Sequence, residues 1–211
     1  MMHFFDLLTR GLNTLAAKLQ RTDLKAWAGN VWEGYHPVWT PNMVRVGVLI
    51  LTVALIWGIV RCARHKIRLS QLIFGWFLVL YLYLMFGSTV FSRVSTATSQ
   101  ANLNLFWEYR SMMAMHSWYY AKQIFLNIAM LMPVGFLLPL AKGKRCFVQT
   151  LLFGFFCSLS IEVMQYVFHC GMFEFDDIFN NTLGTFLGYM IFRIIISKRA
   201  IGRKKEIRRK K

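Results

Sequence analysis

Acidic residues are scarce in this chain: nine Asp and Glu stand among 211 residues, against 25 Lys and Arg. No charged residue of either sign interrupts residues 71–92 or 123–141. With 56% of residues hydrophobic and 16% charged, much of the apolar surface has to face lipid, which excludes a soluble single domain. Cysteine is sparse and without pattern. Cys62, Cys146, Cys157 and Cys170 form no C-x-x-C pair and no His/Cys spacing of the zinc type, so neither a metal nor a cofactor is expected. No structural disulfide is expected, because the topology below puts Cys62 and Cys146 near one face of the membrane and Cys170 near the other. No cleavable leader is expected at Met1 either, since Asp6 and Arg10 break the apolar residues there before an h-region forms; the first span is expected to act as the insertion signal.

What is present is apolar length, arranged in blocks. Residues 1–41 read as an N-terminal arm on the membrane surface: Phe4, Phe5, Leu8, Leu12, Leu15 and Leu19 recur at helical spacing, and Trp27, Trp32, Tyr35 and Trp39 follow among Gly and Pro. Five apolar segments come next, at 43–60, 71–92, 123–141, 146–168 and 178–197, each near the roughly 20 residues a helix needs to cross a bilayer. The predicted fold is an all-α transmembrane bundle of about five spans. Its parts are the arm (1–41), a first span with a basic loop (42–70), a four-span domain (71–197) and a basic tail (198–211).

The net charge of +16 would suit nucleic acid, but the basic residues sit between and after apolar runs, where membrane proteins carry them, so nucleic acid is not an expected partner. Arg61, Arg64, Lys66 and Arg68 follow the first segment, Lys142, Lys144 and Arg145 the third, and the Lys/Arg tail the fifth. Basic loops stay in the cytoplasm, so all three places and the C-terminus are expected there, and the tail is expected to lie against anionic lipid at about 1 kcal/mol per basic residue. The loop between the fourth and fifth segments carries only Glu174, Asp176 and Asp177 and belongs outside.

That orientation gathers polar side chains in the outer leaflet. Glu162, Gln165 and His169 stand at i, i+3 and i+7, on one face of the fourth span if the helix continues through them. Asn127 lies one turn inside the third span, ahead of Pro133 and Gly135, which can bend a helix. Asp176, Asp177, Asn180 and Asn181 open the fifth. Burial makes a carboxyl costly, so Glu162 needs partners; it reads either as a structural group paired with Asn127 or Gln165, or as a site residue. Asn180 or Asp177 reads equally as a helix cap. Arg93 and Arg110, in a long outer loop expected to hold a re-entrant or surface helix, suit either a phosphate or a headgroup anchor. Gly184 and Gly188 form G-x-x-x-G, the spacing of close helix packing, and Gly154 with Ser158 suits the same purpose.

The segments Asn127–Pro139 (NIAMLMPVGFLLP), Ser158–Gln165 (SLSIEVMQ) and Glu174–Gly188 (EFDDIFNNTLGTFLG) together resemble VanZ-like membrane proteins over residues 71–197. The resemblance implies a small polytopic protein of the bacterial plasma membrane, similar to the one associated with resistance to teicoplanin-type glycopeptides. It carries the motif positions onto Arg93, Asn127, Pro133, Gly135, Glu162, Gln165, Asp177, Asn181 and Gly184. One departure is Cys170 before Gly171, where many relatives have Arg. The expected binding residues are thus Arg93, Arg110, Asn127, Glu162, Gln165, Asp176, Asp177 and Asn181, with Glu162, His169 and Asp177 as candidates for catalysis. The expected partners are membrane lipids, a lipid-linked peptidoglycan precursor or a lipoglycopeptide antibiotic. A binding or protective role is favoured over an intramembrane enzyme acting on a lipid-linked precursor, because no nucleophile motif or metal set is present.

Overall fold

The computed structural model describes the backbone of residues 38–209 and the side chains of residues 38–196. The predicted surface arm falls almost entirely outside these residues. In chain order the elements are α1 (Pro41–Ala63), α2 (Leu69–Phe86) with a π-helical extension (Gly87–Phe91), β1 (Gln100–Asn102), α3 (Trp107–Met115), α4 (Trp118–Lys142), α5 (Phe147–Val167), β2 (Met172–Glu174) and α6 (Phe175–Arg209).

The helix ends follow local chemistry. Thr40 accepts the Met43 N–H at 3.3 Å and Pro41 takes the first turn of α1, where its missing N–H costs nothing. Ser88 and Thr89 hydroxyls donate back to the Met85 carbonyl at 3.0 and 2.7 Å, where α2 widens into its π-helical turn. α4 runs unbroken through Pro133 and Pro139 and stops at Gly143, whose φ of +63° suits a residue without Cβ. It begins at Trp118, five residues before the predicted segment, because Ser117 and the left-handed His116 separate it from α3 and leave Trp118–Lys122 helical.

Among the described residues, four helices are long and apolar enough to cross a bilayer: Pro41–Ala63, Leu69–Phe91, Trp118–Lys142 and Phe147–Val167. Large apolar side chains such as Val48, Val53, Ile56, Phe77, Phe156 and Val163 stay exposed along them, an apolar surface that a water-soluble monomer does not present but lipid covers. The chain is an all-α, multi-pass membrane bundle. The fifth predicted segment is also helical, within α6, and lies against α4 over the most extensive interface of the fold. Trp118–Lys142 and its neighbours enclose a core in which Leu78 and Met85 of α2, Leu131 and Val134 of α4, and Ile161 of α5 meet.

The α4–α6 contact is made by backbone. A Cβ placed on Gly184 would stand 1.9 Å from the Ile128 carbonyl oxygen, and one on Gly188 would stand 1.9 Å from that of Met132. Both partners advance by four residues together, so α4 and α6 run parallel. α5 runs the other way: Gly154 meets Thr185, while Ser158 accepts a hydrogen bond from Asn181 at 2.9 Å. Small residues at these positions allow the close approach that membrane helices use in place of hydrophobic association.

Gly184→Ala is therefore expected to lower stability by roughly 1–3 kcal/mol, as overpacking does, in thermal unfolding of the detergent-solubilised protein. Gly75→Ala serves as the control, because its Cβ would find its nearest neighbour at 3.9 Å.

Candidate ligand-binding site

The connections segregate chemically. Gln71 at the start of α2 donates to the Ala141 carbonyl near the end of α4, which gathers the basic loops at one end of the bundle. At the opposite end, the segment leaving α2 is tied to the segment leaving α5. Thr96 N–H and Ser95 Oγ donate to the carbonyls of His169 (2.6 Å) and Phe168 (3.0 Å), and β1 pairs in parallel with β2 from Gln100↔Met172 to Asn102↔Glu174. Three-residue strands carry no period that the sequence could reveal. Their effect is to hold Glu174 over the end of α5, where its N–H donates to Glu162 Oε2 at 3.0 Å.

A cavity of about 760 Å³ opens beneath this pairing, lined from α2, α4, α5 and α6. Arg93 stands exposed at its wall, with Glu162 and Asp177 both within its electrostatic reach. Asn127 Nδ2 donates to Asp177 Oδ1, and Gln165 Nε2 to the Thr89 carbonyl at 3.1 Å. Asn181, 1% exposed, donates to Ser158 and leaves its own Oδ1 without a protein partner. Arg93, Asn127, Glu162, Gln165, Asp177 and Asn181 thus line one cavity. Glu162 is held by a backbone N–H rather than by the expected Asn127 or Gln165.

Three other expected residues are used differently. Asp176, 3% exposed, caps a helix, but not its own: its two oxygens accept the N–H groups of Phe106 and Glu108 (2.7 Å for the latter), so it closes the N-terminus of α3. His169 leaves the face of Glu162 because α5 ends two residues earlier. His169 takes φ +54°, its N–H bonds Tyr166 O and the Cys170 N–H bonds Gln165 O, the Schellman arrangement with histidine where glycine is usual. Its Nδ1 then lies 2.6 Å from Ser99 Oγ, outside the cavity. Arg110 is exposed and donates to the Leu105 carbonyl at 3.4 Å, also away from the cavity.

The sequence reading missed Glu108 and Glu174 as site residues. Glu108 lies on α3, is 4% exposed, and accepts from Asn180 Nδ2 at 3.2 Å; Asn180 in turn accepts from the Tyr109 hydroxyl. One carboxylate oxygen each from Glu108, Glu174 and Asp177 lie within 4.8 Å of one another, a spacing able to hold a hard cation. No ligand spacing announces this group, because its members come from α3, β2 and α6.

The crowding raises proton affinities. Burial, then the neighbouring Asp177, Glu174 and Asp176, push the Glu108 carboxyl from its ordinary 4.5 up to about 8, against an opposing hydrogen bond from Asn180. Burial raises Glu174 as well, and Asn102 opposes it with a hydrogen bond. The folded state therefore binds these protons more tightly than the unfolded chain does. Glu108 contributes fully below the ordinary carboxyl range, and its contribution is lost as pH rises to about 8. The melting temperature is expected to fall between pH 5 and 8, roughly the window set by this shift, and Glu108→Gln is expected to flatten that slope. An equal slope in the variant would assign the pH dependence to other groups.

Comparison with known proteins bears on the whole domain. No curated protein and no solved structure matches the chain. A family model described as VanZ/LLP1 matches residues 72–196, which include α2 from its fourth residue on, α3, α4, α5, both strands and the cavity-lining part of α6. The match covers more than half of the chain, which belongs to the VanZ/LLP1 family.

Proposed function

We propose that this protein is a binding or protective module of the bacterial cell envelope, in which the polar cavity engages the head of an envelope lipid and lowers the access of glycopeptide antibiotics to it. The observation that carries this reading is the cavity itself. Its volume of about 760 Å³ lies in the roughly 300–1,000 Å³ range of small-molecule sites. It presents one guanidinium, Arg93, opposite Glu162, Glu174 and Asp177 and the amides of Asn127 and Asn181. A matching ligand carries an anionic group for Arg93 together with hydroxyl or amino donors for the carboxylates. The head of a lipid-linked peptidoglycan precursor has that chemistry, and the polar walls favour it over the acyl tail of a lipoglycopeptide.

Orientation supports the same reading. α6 runs parallel to the spanning helix α4, and we take it as a fifth crossing. The basic ends of α1, α4 and α6 then face the cytoplasm of the plasma membrane, and the cavity opens at the outer headgroup level. The family resemblance adds glycopeptide, and specifically teicoplanin, resistance as the physiological setting.

A second reading, an intramembrane enzyme acting on the same lipid, draws on the grouping of Glu108, Glu174 and Asp177, which could hold a cation beside a bound phosphate. Mass spectrometry of envelope lipids separates the two, since binding leaves covalent structure unchanged.

In a sensitive Gram-positive host at matched membrane levels, the wild type is expected to raise teicoplanin tolerance more than vancomycin tolerance. Asp177→Ala, which removes the partner of Asn127, is expected to lose most of that increase. Equal tolerance with wild type, variant and empty vector would exclude the resistance role.

A further inference from the structure

The opposite end of the bundle holds another cavity, of about 750 Å³, between the start of α2, the end of α4 and α6. Its polar rim is basic: Arg68, Lys144 and Arg145 line it, and among the described residues no carboxylate does. Its apolar wall is formed by Phe74, Leu140, Phe192 and Ile196. Basic side chains at a membrane surface commonly just anchor there, each separately. Here their backbones are held together. Gln71 uses both ends of its amide, Oε1 accepting the Arg68 N–H at 3.0 Å and Nε2 donating to the Ala141 carbonyl at 3.4 Å, and it packs on the turn at Gly143. The loop carrying Lys144 and Arg145 is thereby fixed beside Arg68. The first turn of α2 also opens here, through Ser70, and brings the positive end of its dipole.

We propose that this basic cavity binds a phosphate-bearing anion, the headgroup of an anionic phospholipid, with the upper part of an acyl chain against Phe74, Leu140, Phe192 and Ile196. The basic rim neutralises the phosphate, while the apolar wall distinguishes a lipid from a free ion. Charge selects anionic over zwitterionic headgroups, as basic pockets between membrane helices do. This site is separate from the polar cavity and does not depend on the function proposed for it.

Native mass spectrometry of the full chain in neutral detergent tests the assignment, with phosphatidylglycerol and phosphatidylethanolamine as probes and inorganic phosphate as competitor. The wild type is expected to retain one phosphatidylglycerol in preference to phosphatidylethanolamine, undisplaced by excess phosphate. Arg68→Gln/Lys144→Gln/Arg145→Gln is expected to reduce retention at least on the order of tenfold. Arg64→Gln/Lys66→Gln/Lys142→Gln, with the same charge change at the same end but outside the cavity, is expected to retain it, as is the charge-preserving Arg68→Lys/Arg145→Lys. Equal losses in the two neutralised triples would reduce the effect to general surface charge and overturn the site. Equal retention of the two lipids would also overturn it, and displacement by inorganic phosphate would overturn the lipid assignment in favour of a soluble phosphate ligand.

Discussion

The contact between Gly184 and Gly188 of α6 and the carbonyls of Ile128 and Met132 on α4 sets the geometry of everything at the polar end. Two helices that meet through backbone hold their flanking side chains at short range. One turn before Gly184 on α6 stands Asn181, and one turn further Asp177; one residue before Ile128 on α4 stands Asn127. The Asn127–Asp177 hydrogen bond follows from that approach, since larger residues at Gly184 and Gly188 would move α6 away from α4, and the Asn181–Ser158 bond rests on the matching approach of Gly154 to Thr185. The same spacing that packs the bundle therefore assembles the cavity. Stability and site share one interface.

Around that interface the carboxyls gather at one end. Glu108, Glu162, Glu174, Asp176 and Asp177 collect at one end, and Arg68, Lys144 and Arg145 line a cavity at the other. The carboxyls do not all play one part. Asp176 is spent on the N-terminus of α3 and so fixes the surface helix, which in turn carries Glu108 inward to Asn180. Glu162 accepts a backbone N–H from β2 and secures the strand pair. Glu162 also lines the cavity, together with Asp177, Glu174 and Arg93, so its walls carry charge as well as amides.

How much of this was legible depended on the distance over which each feature is specified. Spans were legible because about 20 uninterrupted apolar residues are a local signal, and the glycine pair because i, i+4 spacing survives in any regular helix. Asn127, Asp177 and Asn181 were placed at one end by helix direction alone. His169 was misplaced because the helix stops at Val167 with a left-handed turn built on histidine, a residue that gives no warning of one. The capping role of Asp176 is not legible because the helix it caps lies about 70 residues earlier in the chain. Glu108 and the paired strands depend wholly on tertiary contact, so no periodicity could reveal them.

A lipid head held in the polar cavity would leave the membrane with the purified protein. Wild type and Arg93→Gln, purified in mild detergent from a bacterial host, are compared by mass spectrometry of bound lipids. A lipid-linked envelope precursor is expected to be enriched with the wild type and depleted with the variant. Identical lipid profiles from both, matching bulk membrane composition, would contradict it.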